Sequence, residues 1–296
     1  MRKLCAAFVL MSFVFNASAQ TVGPSVKSKR WFDFSDSFHR NRVYFYWGYN
    51  REKFSKTDIH FHGQGYDFTI YGATAHDRPS PFTFHDYINP GYVTVPQYNF
   101  HVGYYMKHNL HVSFGNDHMK YVLTQYQTVK LSGAIDSSAS QEFAGSYFNV
   151  DKVLVPQFLR FEHTNGLNLY TLNLEYLLPV FHTPNNKLRI GLNTGIGGIW
   201  VVTKTDVKVI GFGLDNDFHI AGFTVPLSIG PRVEIGKHFF VSAEIKAGYM
   251  HLPWVLIKNN AVDLADHNFT FLERYTVVGL SFPLNAKRPA PRSLNP

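Results

Sequence analysis

The stretch QYNFHVGYYMKHNLHVSFG, residues 97–115, decides the fold. Residues one apart on a β-strand point to opposite faces, so an apolar residue at every second position marks one apolar face. Tyr98, Phe100, Val102, Tyr104 and Met106 share a face here, against Gln97, Asn99, His101, Gly103, Tyr105 and Lys107. After the tight turn MKHNL the alternation resumes, with Leu110, Val112 and Phe114 against His111, Ser113 and Gly115. Two strands and a short turn make a hairpin with one apolar and one polar face.

The same pattern recurs along the chain. Val43, Phe45, Trp47 and Tyr49 oppose Tyr44, Tyr46, Gly48 and Asn50, and Tyr170, Leu172, Leu174 and Tyr176 oppose Thr171, Asn173 and Glu175. In the C-terminal half, Leu188, Ile190, Leu192, Ile196 and Trp200 form one apolar row. Further rows are Phe223, Val225, Leu227, Ile229 and Val233, then Phe239, Val241, Ala243, Ile245 and Tyr249. Val278, Leu280 and Phe282 close the series less cleanly. The opposite faces hold much Gly, Ser and Asn, with charges of both signs: Glu175, Arg189, Arg232, Glu234, Glu244 and Lys246. Small residues relieve crowding inside a narrow barrel and opposite charges pair there. These six residues are therefore expected to form an internal network; a narrow polar path for small solutes is the alternative. Trp47, Tyr98, Tyr176, Trp200 and Tyr249 suit interfacial girdles. The expected fold is all-β, an antiparallel transmembrane β-barrel with long extracellular loops.

The ends agree with export. Arg2 and Lys3 precede the apolar run Leu4–Phe15, and Ala17, Ser18 and Ala19 supply a cleavage site before Gln20. The run is too short for a stable spanning helix. The one cysteine, Cys5, lies inside it, so residues 20–296 have no disulfide. The formal net charge is +7, and Lys and Arg are scattered without a run resembling a nucleic-acid arm. The expected partners are outer-membrane lipids, lipopolysaccharide and the barrel-assembly machinery. No nucleic acid, cofactor or specific protein partner is expected.

Parity fixes the strand number. Tight turns belong to the periplasmic end of such barrels and long loops to the outer end. MKHNL, HTPNNK (182–187) and IGKHF (235–239) are short, whereas 124–166, 204–217 and 251–267 are long. Strands near 43–54, 95–107, 109–123, 167–180, 187–203, 218–235, 238–250 and 268–282 satisfy this with both termini periplasmic. Segments 58–72 and 152–161 also read as strands. Ten membrane strands would move MKHNL outside, so eight is preferred and these two are read as extensions or a hairpin above the membrane. The chain then divides into a signal peptide (1–19), a periplasmic N-terminal segment (20–41), the barrel (42–284) and a periplasmic tail (285–296). In the N-terminal segment, Trp31, Phe32, Phe34 and Phe38 pack at the inner interface or partly fill the lumen.

Two constellations carry possible chemistry. FEHTNGLN (161–168) resembles the outer-membrane lipid hydrolases, the lipid A deacylases and the barrel phospholipase, which set a His and a Ser near a strand end. The resemblance implies His163 as base, oriented by Glu162, Asn165 or Asp117. It departs from those enzymes at the nucleophile, because position 165 is Asn, and Ser113 or Ser146 would have to approach from elsewhere. His60 and His62 share a strand face, and imidazole pairs suit a transition metal. Across the chain, YNREKFSKTDIHF, DHMKYV and FEHTNGLN resemble segments of a group of bacterial outer-membrane barrels without an assigned activity. In architecture the chain is similar to the small OmpA- and OmpW-type barrels. The likeness implies a barrel and no activity. The functional expectation is a non-enzymatic barrel for envelope integrity, surface interaction or limited small-solute passage; a lipid hydrolase using His163 is the alternative.

Overall fold

The structure, a computed structural model, describes residues 30–34, 38–81, 83–215, 217–258, 260 and 262–284. The expected signal segment 1–19, residues 20–29 and 35–37, and the expected tail 285–296 lie outside the described residues. Eight long strands run in chain order: β1 (Arg42–Phe54), β2 (Tyr98–Lys107), β3 (Leu110–Leu123) and β4 (Leu159–His182), then β5 (Leu188–Thr203), β6 (His219–Ile235), β7 (Phe239–Leu256) and β8 (Leu264–Pro283). Each pairs antiparallel with the next. β8 returns to β1, with Val278 opposite Trp47, so the ring is closed. The tight turns expected at 108–109, 183–187 and 236–238 all join strands at one end. Gly236 takes φ +67°, which lets its turn close without a Cβ penalty.

Polarity inverts along the strands, and this places the membrane. On the lower part of β8 the outward residues are Leu272, Arg274, Thr276, Val278, Leu280 and Phe282, four of the six apolar, while Glu273, Tyr275, Gly279 and Ser281 point inward and are buried. Above that level the outward residues become Thr270, Asn268 and Asp266, and the inward ones Phe271, Phe269 and Ala265. β3 changes over between inward Asp117 and Met119, and β4 between inward Thr171 and Leu169. A wall facing water must be apolar inside; a wall facing lipid is apolar outside and leaves its polar residues inward. From Phe282 to Leu272 the outward face of β8 rises about 25 Å, taking a strand rise of about 3.3 Å and a tilt of about 40°, with Arg274 near its upper edge. That is the thickness a bilayer's apolar band requires.

Above the belt the strands continue, because there they bury an ordinary core. β4 starts at Leu159 rather than near 167, β7 reaches Leu256, and β8 begins at Leu264. Segment 58–72 is a hairpin of strands Thr57–Gly63 and Tyr66–Ala73, paired to the top of β8. Strands Thr128–Ile135 and Gly145–Val153 add to it in turn. Segment 152–161 is the end of the latter strand and the start of β4. The membrane ring has eight strands, and the two further segments build the cap. Phe61, Phe68, Leu131, Phe158 and Phe161 are buried at its centre, in one cluster with Met119, Leu169, Met250 and Phe269 of the upper wall.

β2 begins lower than its neighbours end, and residues 77–81 and 83–97 lie over the wall above it, where Tyr49 OH donates to the Tyr87 carbonyl and Lys120 to the Val95 carbonyl. Thr83 caps the short helix α1 (Phe84–Ile88) by accepting a 3.0 Å bond from the Asp86 amide. Tyr87 of α1 stacks edge-on against Tyr49 at 4.6 Å. At the opposite end of the barrel, Arg30–Trp31 pairs with the lower end of β4. Trp31, Phe32 and Phe34 stay exposed there, whereas His39 is buried in the base of the lumen.

Candidate functional site

Inside the belt, side chains fill the lumen in three tiers. At the base, the His39 ring shares hydrogen bonds with Asn109 Oδ1 (2.9 Å) and Glu234 Oε2 (2.7 Å). Glu234 also draws Arg232 Nε to 3.1 Å and Arg189 Nε to 3.4 Å. The Arg232 guanidinium lies 3.5 Å over the Phe240 ring, and Arg42 and Arg189 both lie over Phe38. A Cβ at Gly103 would collide with the Tyr44 ring, and one at Gly279 with Phe240, so these glycines make room for the aromatic layer.

In the middle tier, Glu175 accepts from Ser113 Oγ (2.6 Å), Asn193 Nδ2 (3.0 Å) and Tyr44 OH (3.2 Å). Glu244 accepts from Tyr275 OH and Ser242 Oγ, each at 2.7 Å. In the top tier, Lys246 donates to Asp117 and stands 3.4 Å from Glu273. Asp117 takes further bonds from Asn99 (2.6 Å) and the His101 ring (2.9 Å), and Glu273 from Asn99 (2.6 Å) and Asn50 (3.0 Å). All six charged residues expected inside, Glu175, Arg189, Arg232, Glu234, Glu244 and Lys246, are buried and inward. They meet partners of opposite charge or neutral donors, as low dielectric demands. Sequence reading put His101 and His111 on the polar face without making them members, and it left out His39, Asp117 and Glu273; the His111 ring meets Tyr44 OH at 2.6 Å and Asn193 Oδ1 at 3.0 Å. Parity on β8 would have found Glu273, which shares a face with Tyr275.

His163 lies above the membrane band, on the inward side of β4 and without exposed surface. Its Nδ1 shares a 2.9 Å hydrogen bond with Thr205 Oγ1, its Nε2 has no partner, and its ring stacks 5.8 Å from that of His267. Phe161 and Tyr121 complete the surround. Glu162 points the other way, where Arg78 donates to it at 2.7 Å, and Asn165 is exposed in a bulge between His163 and Leu167. Asp117 is committed to Lys246, Ser113 to Glu175, and Ser146 sits on the exposed strand Gly145–Val153. The structure thus gives His163 a hydroxyl, from Thr205, but none of Glu162, Asn165 or Asp117 as orienting group. Burial, with His267 and His219 nearby, holds His163 well below the ordinary imidazole range, and burial pushes His267 down to about 3. Such imidazoles stay neutral and are weak bases.

His60 and His62 come together as expected, their rings 5.2 Å apart, and Asp67 bonds the His60 ring at 2.9 Å. Among the described residues no group of three or more His, Cys, Asp or Glu converges to hold a metal.

No protein-family model matches the chain, and no curated protein matches it significantly. Solved structures do overlay on it. The outer membrane protein AlkL in lipid bilayers gives TM-score 0.38 at 11% identity, covering 94% of this chain and 100% of AlkL. OprG from Pseudomonas aeruginosa gives 0.36 at 10%, covering 84% and 100%, and the N-terminal barrel domain of Pseudomonas aeruginosa OprF 0.28 at 12%, covering 82% and 98%. Overlays this loose say nothing of activity. The closed strand ring and its inverted polarity are those of an outer-membrane β-barrel in their own right.

Proposed function

We propose that this chain is a non-enzymatic, non-conducting barrel of the bacterial outer membrane that holds a folded cap above the cell surface. Its roles are surface interaction and envelope integrity. The filled lumen supports this most directly: polar side chains occupy it through the membrane, and an apolar core occupies the ring above. The tight turns at one end and the cap at the other support periplasmic termini and an outward cap. The strand Gly145–Val153 supports an interaction role, since it forms a sheet edge with Phe148 91% exposed and Val150 and Val153 also outward.

Planar-bilayer recording of the purified protein tests the reading. The expected trace stays at baseline, and stable unitary steps that vary with Lys246→Met would refute it by showing ions passing the network. The Thr205–His163 contact favours a second reading, a lipid hydrolase. Mass spectrometry of lipid A and phospholipids from cells with wild type or His163→Ala tests it. Loss of an acyl chain with wild type alone would establish hydrolysis, and identical profiles exclude it.

A further inference from the structure

Three basic side chains stand on the lipid-facing wall: Arg51 and Lys53 of β1, and Arg274 of β8. Arg51 and Arg274 are direct cross-strand partners, and Lys53 faces Leu272, the next outward position above Arg274. Arg274 stands eight residues up β8 from Phe282, about 20 Å by the same rise and tilt. That is the level of the outer aromatic girdle, where other strands present Tyr170, Trp200, Phe223 and Tyr249 outward.

Like charges directly opposite across strands repel, and charge on a lipid face is unfavourable. The protein offsets this in part at Arg51, whose charge acts on the nearby Glu52 carboxylate, and little at Lys53 and Arg274. Among the described residues Arg51 donates only to neutral acceptors: the Asn50 carbonyl (3.0 Å), Tyr87 OH (3.3 Å) and Gln97 Oε1 (3.4 Å). Lys53 and Arg274 have no hydrogen-bond or ion-pair partner among the described residues. The nearest carboxylates in sequence, Glu52 and Glu273, turn into the lumen, where Gln97 donates to Glu52, and Asn50 and Asn99 to Glu273. Two shallow grooves flank the cations on the outer wall. One, of about 590 Å³, runs from Arg51 and Arg274 to Ile229 and Ile245. The other, of about 660 Å³, runs from Lys53 past Leu272 to Leu227. Grooves walled by apolar strand residues suit acyl chains.

We propose that Arg51, Lys53 and Arg274 bind the phosphates of a diphosphorylated glycolipid of the outer leaflet, the lipid A part of lipopolysaccharide, with its acyl chains along the two grooves. Three adjacent cations match two phosphates better than the single phosphodiester of a phospholipid, and guanidinium forks bind phosphate bidentately. The assignment rests on the outward orientation of the cap proposed above.

Native mass spectrometry of the detergent-solubilised protein tests it, with three probes: diphosphoryl lipid A, its dephosphorylated form, and phosphatidylglycerol. Wild type is expected to carry diphosphoryl lipid A about tenfold more than either other probe, and Arg51→Gln/Lys53→Gln/Arg274→Gln to lose about tenfold of that binding. A cap variant, Lys130→Gln/Lys208→Gln, should bind as wild type does. Wild-type binding by the triple variant, or equal binding of dephosphorylated lipid A or phosphatidylglycerol, overturns the proposal. Heat-modifiable gel mobility confirms that each variant is folded; should the triple variant fail this check, Arg274→Gln alone must lose about threefold, and no loss there overturns the proposal too. Surface labelling separates the two claims. Phe148→Cys that resists a membrane-impermeant maleimide on intact cells but reacts once the outer membrane is permeabilised refutes the outward cap while the binding result stands, and labelling on intact cells without lipid A binding refutes the site alone.

Discussion

Replacing Lys246 by Met is the sharpest test of the lumen network. The side chain is of similar length, so the change removes a charge and little volume. Asp117 and Glu273 have no exposed side-chain surface, and Lys246 has 4%. Asp117 keeps Asn99 and His101, and Glu273 keeps Asn50 and Asn99, but the cation between the two carboxylates is gone. Breaking a buried ion pair from one side costs about 3–5 kcal/mol, mostly from the charge left behind. At a urea slope of about 2 kcal/mol/M the unfolding midpoint then falls by about 2 M. Tryptophan fluorescence of protein folded in lipid vesicles reads this, since Trp47 and Trp200 lie on the belt. Adding Asp117→Asn to Lys246→Met removes one stranded carboxylate and should recover at least half of the loss. A single variant within about 1 kcal/mol of wild type would refute the buried network. So would a double variant no better than the single.

Other perturbations probe the remaining layers. Gly103→Leu drives a side chain into the Tyr44 ring, and overpacking of about 1–3 kcal/mol or more should lower the yield of the heat-modifiable folded form. Ile229→Arg, outward in the middle of the belt, should cost about 2–4 kcal/mol in vesicle refolding, whereas Asn268→Arg, outward above it, should cost under about 0.5 kcal/mol. Acid should loosen the cap. His267 and His163 have lowered values in the fold, so the unfolded cap takes up protons first as pH drops below about 6.5. Stability is therefore full above that pH and declines toward pH 3, by about 3 kcal/mol at pH 4.5 for His267. Hydrogen exchange of the upper-strand amides should accelerate over this window in wild type and not in His163→Gln/His267→Gln.

Much of the barrel was legible because one rule, alternation, acts residue by residue. The polar rows containing Glu175, Arg232 and Lys246 could be placed inward from parity alone, and tight turns such as MKHNL set the strand number. The cap was less legible for a physical reason. Above the membrane the strands keep their period but exchange polarity, so the inward face of β4 passes from Thr171 to Leu169 without a break in pattern. The bulge between His163 and Leu167 then shifts the phase, which alternation cannot foresee. Contacts across the ring were hidden altogether. Thr205 reaches His163 from 42 residues away, on a connection without a recognisable motif, and His39 enters the lumen from a segment preceding the first barrel strand.

Single-cysteine labelling tests the central claim, a membrane-spanning barrel with its folded cap outside. The chain's one cysteine, Cys5, lies in the expected signal segment, so introduced thiols report without background from residues 20–296. Phe148→Cys should react with a membrane-impermeant maleimide on intact cells, Lys237→Cys only after the outer membrane is permeabilised, and Ile229→Cys in neither state until detergent strips the lipid. Labelling of Lys237→Cys on intact cells, with Phe148→Cys protected, would invert the barrel and contradict the account; free labelling of Ile229→Cys would remove the membrane from around it.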